Sequence, residues 1–193
     1  MERPVVRDLR VLIVGGKGAP AQLLRMALNL AGINNLTLVA DSKRALEVLT
    51  EDYYDVVYCD SQADKVDRLA FPKAARKAEG ILNAMMPIFV VYSKVRRREV
   101  ERARDDGVTD VLTTPISAAT ILRKLDAAFI RPRAFIMAPE YFGPDRRTSA
   151  RDATGPGGED RRSRTPRKVK VSASGKIKSV APEKKSDEEI VLI

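Results

Sequence analysis

Short apolar runs alternate with amphipathic segments along the first 130 residues of the chain. Five runs of strand length are rich in Val, Leu and Ile, and between them apolar residues recur at helical spacing. The predicted strands are residues 9–14, 36–40, 56–60, 88–93 and 108–115. The predicted helices are residues 20–31, 43–49, 68–78, 96–106 and 117–129. This repeated order predicts an α/β fold, a doubly wound domain around a five-stranded parallel sheet.

The pattern changes at Arg131, where the regular spacing of apolar residues stops. Residues 131–165 are rich in Arg, Asp, Gly and Pro, and residues 166–193 are basic with an acidic and apolar end. Such composition cannot bury enough apolar surface to form a core, so residues 148–182 are expected to be flexible. We therefore predict an α/β domain over 1–130, an arginine-rich segment over 131–165, and a largely disordered C-terminal tail over 166–193.

Charge and composition narrow the classes of function. The net charge is +9, and the part from Arg131 onward holds 15 Lys and Arg against 9 Asp and Glu. This excess attracts phosphates, nucleic acid, anionic membranes or acidic protein surfaces. With one cysteine, Cys59, and no histidine, an internal disulfide and histidine-based metal or catalytic sites are excluded. No signal peptide or membrane-length apolar run is visible, which predicts a cytoplasmic protein without membrane insertion.

Four segments at the predicted strand ends resemble the CheY-like response-regulator receiver family. In chain order they are LRVLIVGG, YDVVYCD, MPIFVVYS and DDGVTDVLTTPI. The resemblance covers about residues 8–130 and implies a flavodoxin-like sheet of strand order 2-1-3-4-5. It also implies a phosphorylation pocket with two magnesium-binding acids, a phosphoacceptor aspartate, a Ser or Thr, and a lysine before a proline.

The pocket implied by this resemblance is degenerate, because only the phosphoacceptor-equivalent Asp60 is intact. The other positions have changed: Gly15 and Gly16 replace the acids, Tyr92 with Ser93 stands at the hydroxyl position, and Thr114 replaces the lysine before Pro115. Magnesium needs oxygen ligands, and phosphoryl transfer needs the metal and the lysine. We therefore expect a pseudo-receiver with no metal and no enzymatic activity. A phosphorylated single-domain response regulator is the alternative.

The arginine-rich segment has the side chains that a guanine nucleotide requires. Arginine presents a planar fork of donors to phosphate and to guanine, a carboxylate can accept from guanine, and aromatic rings can stack on bases. The predicted nucleotide-binding residues are Arg131, Arg133, Tyr141, Phe142, Gly143, Pro144, Asp145, Arg146, Arg147, Arg151, Asp160, Arg161, Arg162 and Arg164.

The combination of the two parts resembles the CheY-like cyclic-di-GMP effectors, called Cle proteins. The resemblance implies a non-enzymatic signalling adaptor that binds cyclic di-GMP through the arginine-rich segment and engages a protein partner, either the flagellar motor or a signalling kinase. The partner surface is expected around the fourth helix, fifth strand and fifth helix. Two alternatives stay open for the tail: a nucleic-acid-binding regulator, and a solvated basic linker without a ligand.

Overall fold

A computed structural model describes residues 8–15, 19–61, 70–138, 140–146, 167–171 and 177–179. Five parallel strands form one sheet in the order β2-β1-β3-β4-β5. The strands are β1 Val11–Val14, β2 Leu36–Val39, β3 Val56–Asp60, β4 Ile88–Tyr92 and β5 Asp110–Thr113. The helices are α1 Ala19–Leu30, α2 Ser42–Glu51, α3 Ala70–Lys77, α4 Arg97–Asp105 and α5 Ala118–Phe129. The predicted α/β fold and its strand order are confirmed.

The sheet is buried on both faces, which explains the continuous apolar runs of its central strands. Successive side chains of a strand point to opposite faces, so Leu12 and Val57 belong to one core cluster while Val11 and Tyr58 belong to the other. The first cluster is covered by α2, α3 and α4, and the second by α1 and α5. On the second face the rings of Tyr58 and Phe89 stack with their centroids 5.1 Å apart.

Two helices begin after residues whose side chains cap them. The Asp41 carboxylate accepts a hydrogen bond from the Arg44 amide, and the Ser117 hydroxyl accepts one from the Thr120 amide. Each satisfies a backbone donor that the first helical turn leaves free. At the end of α1, Gly32 has a φ of +87°, a conformation that suits glycine after a helix.

Four further strands lie beyond residue 131, where the sequence pattern predicted no regular element. They are β6 Phe135–Ala138, β7 Tyr141–Pro144, β8 Arg167–Val171 and β9 Ile177–Ser179, in a second sheet of order β7-β6-β8-β9. β6 and β7 form an antiparallel hairpin in which Phe135 pairs with Pro144. These strands have three to five residues, and a short hairpin is stable only when it packs on something else. Local sequence therefore carries little sign of them.

Among the helices of the described residues, none combines the length and the apolar character that crossing a membrane would require.

Candidate functional site

The carboxyl ends of the parallel strands bring the predicted pocket residues together at one edge of the sheet. Asp60 is the last residue of β3 and is 8% exposed, with Val91 as its neighbour on β4. Tyr92 pairs with Thr113 on β5, and the Thr114 amide donates to the Tyr92 carbonyl at 3.0 Å. Ligands of open α/β sheets bind at this edge, so the pocket lies where the fold predicts.

The side chains at this edge differ from those that the family resemblance implies. Tyr92 is buried, and burial, followed by Glu99 and Cys59, raises its pKa to about 12. Its phenol is therefore a neutral, buried group at the position where a small hydroxyl is expected. Ser93 and Pro115 are exposed, while Thr114 is half-buried with its hydroxyl 3.5 Å from the Ser93 carbonyl oxygen. Cys59 is 1% exposed and belongs to the core, as the sequence indicates.

The residues after β1 do not fit a magnesium ion. Gly15 has a φ of +99°, a left-handed conformation that side-chain-bearing residues rarely adopt, and its amide donates to the Val39 carbonyl at 2.9 Å. An aspartate at this position would need a different backbone. Gly16 lies outside the described residues. Within the described ranges, no three His, Cys, Asp or Glu side chains gather where they could share a metal ion.

The β6–β7 hairpin packs at the opposite edge of the sheet, away from Asp60. The hairpin reaches the loop between α4 and β5, where a side chain at Gly107 would meet the Phe142 carbonyl oxygen at 2.6 Å. Gly107 has a φ of +82°, so both its conformation and its surroundings require glycine. Because Gly107 precedes β5, this contact lies at the amino ends of the strands, at the far edge from Asp60.

Arg76 holds the hairpin to the domain, and sequence reasoning did not identify it. Its side chain is 4% exposed and donates from Nε to the Gly107 carbonyl at 3.1 Å and from Nη1 to the carbonyls of Ala84 and Met86 at 2.6 and 2.7 Å. Its guanidinium also lies over the Phe135 ring, 5.1 Å from the centroid. The only local signal is that Arg76 lies four residues after the buried Pro72 on α3, which places both on one helix face.

The predicted nucleotide-binding residues are divided between surface, hairpin and undescribed chain. Arg131 and Arg133 are exposed, whereas Phe142, Gly143 and Pro144 are buried in the hairpin. The Phe142 ring packs edge-on against Phe135 with centroids 5.7 Å apart, so in this conformation that ring is occupied within the protein. Outside the described residues lie Arg147, Arg151, Asp160, Arg161, Arg162 and Arg164.

Tyr141, next to the turn of the hairpin, and Asp145 and Arg146, at its open end, are all partly buried. The Tyr141 hydroxyl donates to the Pro144 carbonyl at 2.8 Å, and burial raises the pKa of this phenol. The Arg146 guanidinium donates from Nη2 to the Val108 carbonyl. Burial lowers the pKa of Arg146. The segment predicted to bind a nucleotide is thus also a structural element of the domain.

Comparison with known proteins finds similarity over about two thirds of the chain. No protein-family model matches the chain. The chemotaxis protein CheY-3 of Vibrio cholerae is 25% identical over 131 residues, which are 68% of this chain and 99% of that protein.

Two solved structures share the fold. One is the receiver domain of the Francisella response regulator 1452, with a TM-score of 0.54 at 21% identity over 65% of this chain and 100% of that one. The other is the receiver domain of the Pseudomonas aeruginosa sensor histidine kinase PA1611, whose structure has a magnesium ion in its active-site cleft, with a TM-score of 0.52 at 22% identity over 61% of this chain and 94% of that one. Sequence similarity and fold together support a CheY-like response-regulator receiver domain in this chain.

Proposed function

We propose that this chain is a non-enzymatic signalling adaptor whose receiver domain works without phosphorylation of Asp60. We further propose that its input is cyclic di-GMP, bound through the arginine-rich segment 131–165. Its output is contact with a protein partner through the surface around α4, β5 and α5. The flagellar motor and a signalling kinase are the two partner classes considered.

The observation that carries the first half of the proposal is the loss of metal ligands beside Asp60. Magnesium takes six oxygen ligands in near-ideal geometry, and glycines at positions 15 and 16 contribute no side-chain oxygen. The left-handed backbone at Gly15 also disfavours any residue that would supply a carboxylate. Asp60 therefore lacks the charge stabilisation that phosphoryl transfer requires.

The second half rests on the density of arginines and on the exposure of those nearest the domain. Arg131 and Arg133 are exposed between α5 and β6, before a hairpin that contacts the domain through Phe135 and Arg146. Arginine forks bind phosphate oxygens and guanine edges with two parallel hydrogen bonds. A messenger with two guanines and two phosphodiesters offers both kinds of group.

Two measurements test the proposal. Incubation with acetyl phosphate and Mg²⁺ should leave the intact mass of the wild type unchanged, just as the same treatment leaves the mass of Asp60→Asn unchanged. Calorimetric titration at moderate salt should give saturable heat with cyclic di-GMP and little with GMP or cyclic di-AMP. A phosphoryl adduct lost in Asp60→Asn contradicts the first half, and the absence of heat with cyclic di-GMP contradicts the second.

A phosphorylated single-domain response regulator is the second candidate. It is favoured by Asp60 itself, which ends β3 at the carboxyl edge of the sheet. The magnesium-containing cleft of the Pseudomonas aeruginosa receiver domain belongs to the same fold. The mass measurement separates the two candidates directly, because only this one requires the adduct.

A further inference from the structure

We propose that Arg76, Arg104, Arg133 and Arg146 form an anion site at the amino ends of β4 and β5, which takes the phosphate group of a small phosphorylated ligand. The site lies at the edge of the sheet opposite Asp60. This inference rests on the proposed function in one respect, since Arg133 and Arg146 belong to the arginine-rich segment. Arg76 and Arg104 belong to the receiver domain and extend the site beyond that segment.

The antiparallel pairing of the hairpin places two of these arginines, Arg133 and Arg146, opposite each other. Its register pairs Phe135 with Pro144, and the next hydrogen bond runs from the Asp145 amide to the Ala134 carbonyl at 2.6 Å. Continuing this register places Arg133 opposite Arg146, just beyond the last paired residues. Like charges directly opposite each other on antiparallel strands destabilise the pair unless an anion lies between or beside them.

The receiver domain supplies the other two arginines from α3 and α4. Arg76 donates to the Gly107 carbonyl and Arg146 donates to the adjacent Val108 carbonyl, so the two guanidinium groups lie on consecutive peptide units. The Gly107 amide in turn donates to the Arg104 carbonyl at 3.1 Å, which places the end of α4 at the same loop. Arg104 is exposed, and Arg76 lies beneath the surface.

The charges of this arginine cluster are not balanced within the described residues. None of the ion pairs identified there involves its four members. Arg76 Nη2 and Arg146 Nε are buried donors without a hydrogen-bond partner in the described part of the chain. Of the acids close in sequence, Asp105 takes part in none of these ion pairs, and Asp106 and Asp145 have interactions of their own.

The electrostatic effects within the cluster agree with this geometry. The pKa of Arg76 is lowered to about 9, mainly by burial and to a smaller extent by Arg146, while Tyr141 acts in the opposite direction. Burial also lowers the pKa of Arg146; Tyr141 again opposes the shift, and the positive charges of Arg133 and Arg104 add to it. Arg146 therefore lies close enough to the other three cations to be repelled by each, and a bound oxyanion would relieve both this repulsion and the unpaired donors.

A phosphate group matches the donors that this cluster presents. Guanidinium forks bind phosphate oxygens bidentately, and the ligand charge offsets several cations at once. Arg104, Arg133 and Arg146 reach the surface and would contact the ligand, whereas the buried Arg76 adds positive charge from below. The four arginines gather around one loop, which favours a small ligand. A nucleic acid would need cations spread along an extended surface.

Calorimetric titration of the full chain with pyrophosphate, at constant ionic strength, tests the site. Arg104→Gln and Arg133→Gln should each raise the Kd about tenfold, the effect of losing one charge-assisted hydrogen bond. Arg98→Gln is the matched control, because Arg98 is an exposed arginine on the same helix as Arg104 but near its other end. Arg98→Gln should leave the Kd unchanged. No heat with pyrophosphate, or an equal loss in Arg98→Gln, overturns the site.

Two further ligands separate this inference from the proposed function. If pyrophosphate shows the expected pattern and cyclic di-GMP gives no heat, the anion site stands and the proposed messenger fails. If cyclic di-GMP binds equally well to wild type, Arg104→Gln and Arg133→Gln, while pyrophosphate gives no heat or loses no affinity in the two variants, the messenger stands and this site fails. A single-stranded oligonucleotide that binds more tightly than pyrophosphate, with a similar loss in all three variants, also overturns the site, because it shows diffuse polyanion binding.

Discussion

The two edges of the central sheet have opposite chemistry. At the carboxyl edge, where ligands of such folds bind, Gly15 and Thr114 carry no charge and Tyr92 is a buried neutral phenol. At the amino edge, a hairpin packs on Gly107, and Arg76 donates to three backbone carbonyls of the domain and lies over the Phe135 ring of the hairpin. Among the described residues, the pocket at the carboxyl edge therefore has few charged side chains, whereas several arginines gather where the hairpin packs.

This difference shows which parts of the fold depend on the pocket. The core clusters consist of apolar residues on both faces of the sheet; of the described pocket positions, Tyr92 belongs to them and Gly15, Ser93 and Thr114 do not. Pocket residues can therefore change without loss of the fold. At the amino edge, by contrast, the interacting groups are buried, so single substitutions there should be costly.

The largest effect is expected from Arg76→Met. The change removes the donors of three carbonyl groups and the cation over Phe135, and should lower the free energy of unfolding by about 3–5 kcal/mol. Urea unfolding measures it. Lys77→Met, at the exposed next position of α3, should change stability by only about 0.5 kcal/mol. Equal effects of the two substitutions would show that the hairpin is not anchored through Arg76.

A somewhat smaller effect is expected from Gly107→Ala, with Gly80→Ala as its matched control. The two glycines have φ angles of +82° and +81°, so both substitutions incur the same left-handed strain of about 1–2 kcal/mol. Only at Gly107 does the new Cβ meet the Phe142 carbonyl at 2.6 Å, while at Gly80 the nearest atom lies 3.6 Å away.

The Gly107 variant should therefore lose about 2 kcal/mol more than the Gly80 variant in urea unfolding. Equal losses would mean that the hairpin does not rest on Gly107 in solution.

A pH-dependent effect is expected from Tyr92 at the carboxyl edge. Its folded pKa of about 12 lies above the ordinary value, so between about pH 10 and pH 12 the unfolded chain binds fewer protons at this residue. This contribution to stability is complete below about pH 10 and is lost as the pH rises. Tyr92→Phe should therefore show a shallower alkaline decline in its urea midpoint than wild type. If the urea midpoints of wild type and Tyr92→Phe decline equally with rising pH, the phenol is exposed to solvent.

The smallest effect is expected from magnesium. Because the residues beside Asp60 do not fit the ion, millimolar Mg²⁺ should shift the thermal midpoint no more than sodium at the same ionic strength, and Asp60→Asn should respond identically. A bound ligand at about ten times its Kd would stabilise the protein by about 1.4 kcal/mol, which such a measurement detects. A magnesium-specific shift that disappears in Asp60→Asn would show that Mg²⁺ binds beside Asp60 and would favour the phosphorylated response regulator.

Most of the receiver domain could be predicted from local patterns. The runs at Val11–Val14 and Val56–Asp60 are apolar throughout because both faces of the sheet are covered, and Asp41 and Ser117 mark helix starts. The pocket positions could be predicted too, since parallel strands of known order bring their carboxyl ends together. The hairpin could not, because β6 and β7 have four residues each and are stabilised by distant contacts.

By itself, the sequence determined the order of strands and helices, the absence of histidine chemistry and the replacement of the acids beside Asp60. Only the tertiary structure decided that Phe142, Gly143 and Pro144 are buried, and that Arg76 joins Arg146 at one loop. The physical reason is how far apart along the chain the interacting residues lie. Strand and helix patterns arise from neighbours along the chain, whereas Arg76 and Gly107 meet across 31 residues. Whether an arginine is a solvated surface charge or a buried donor depends on which carbonyls the fold brings to it.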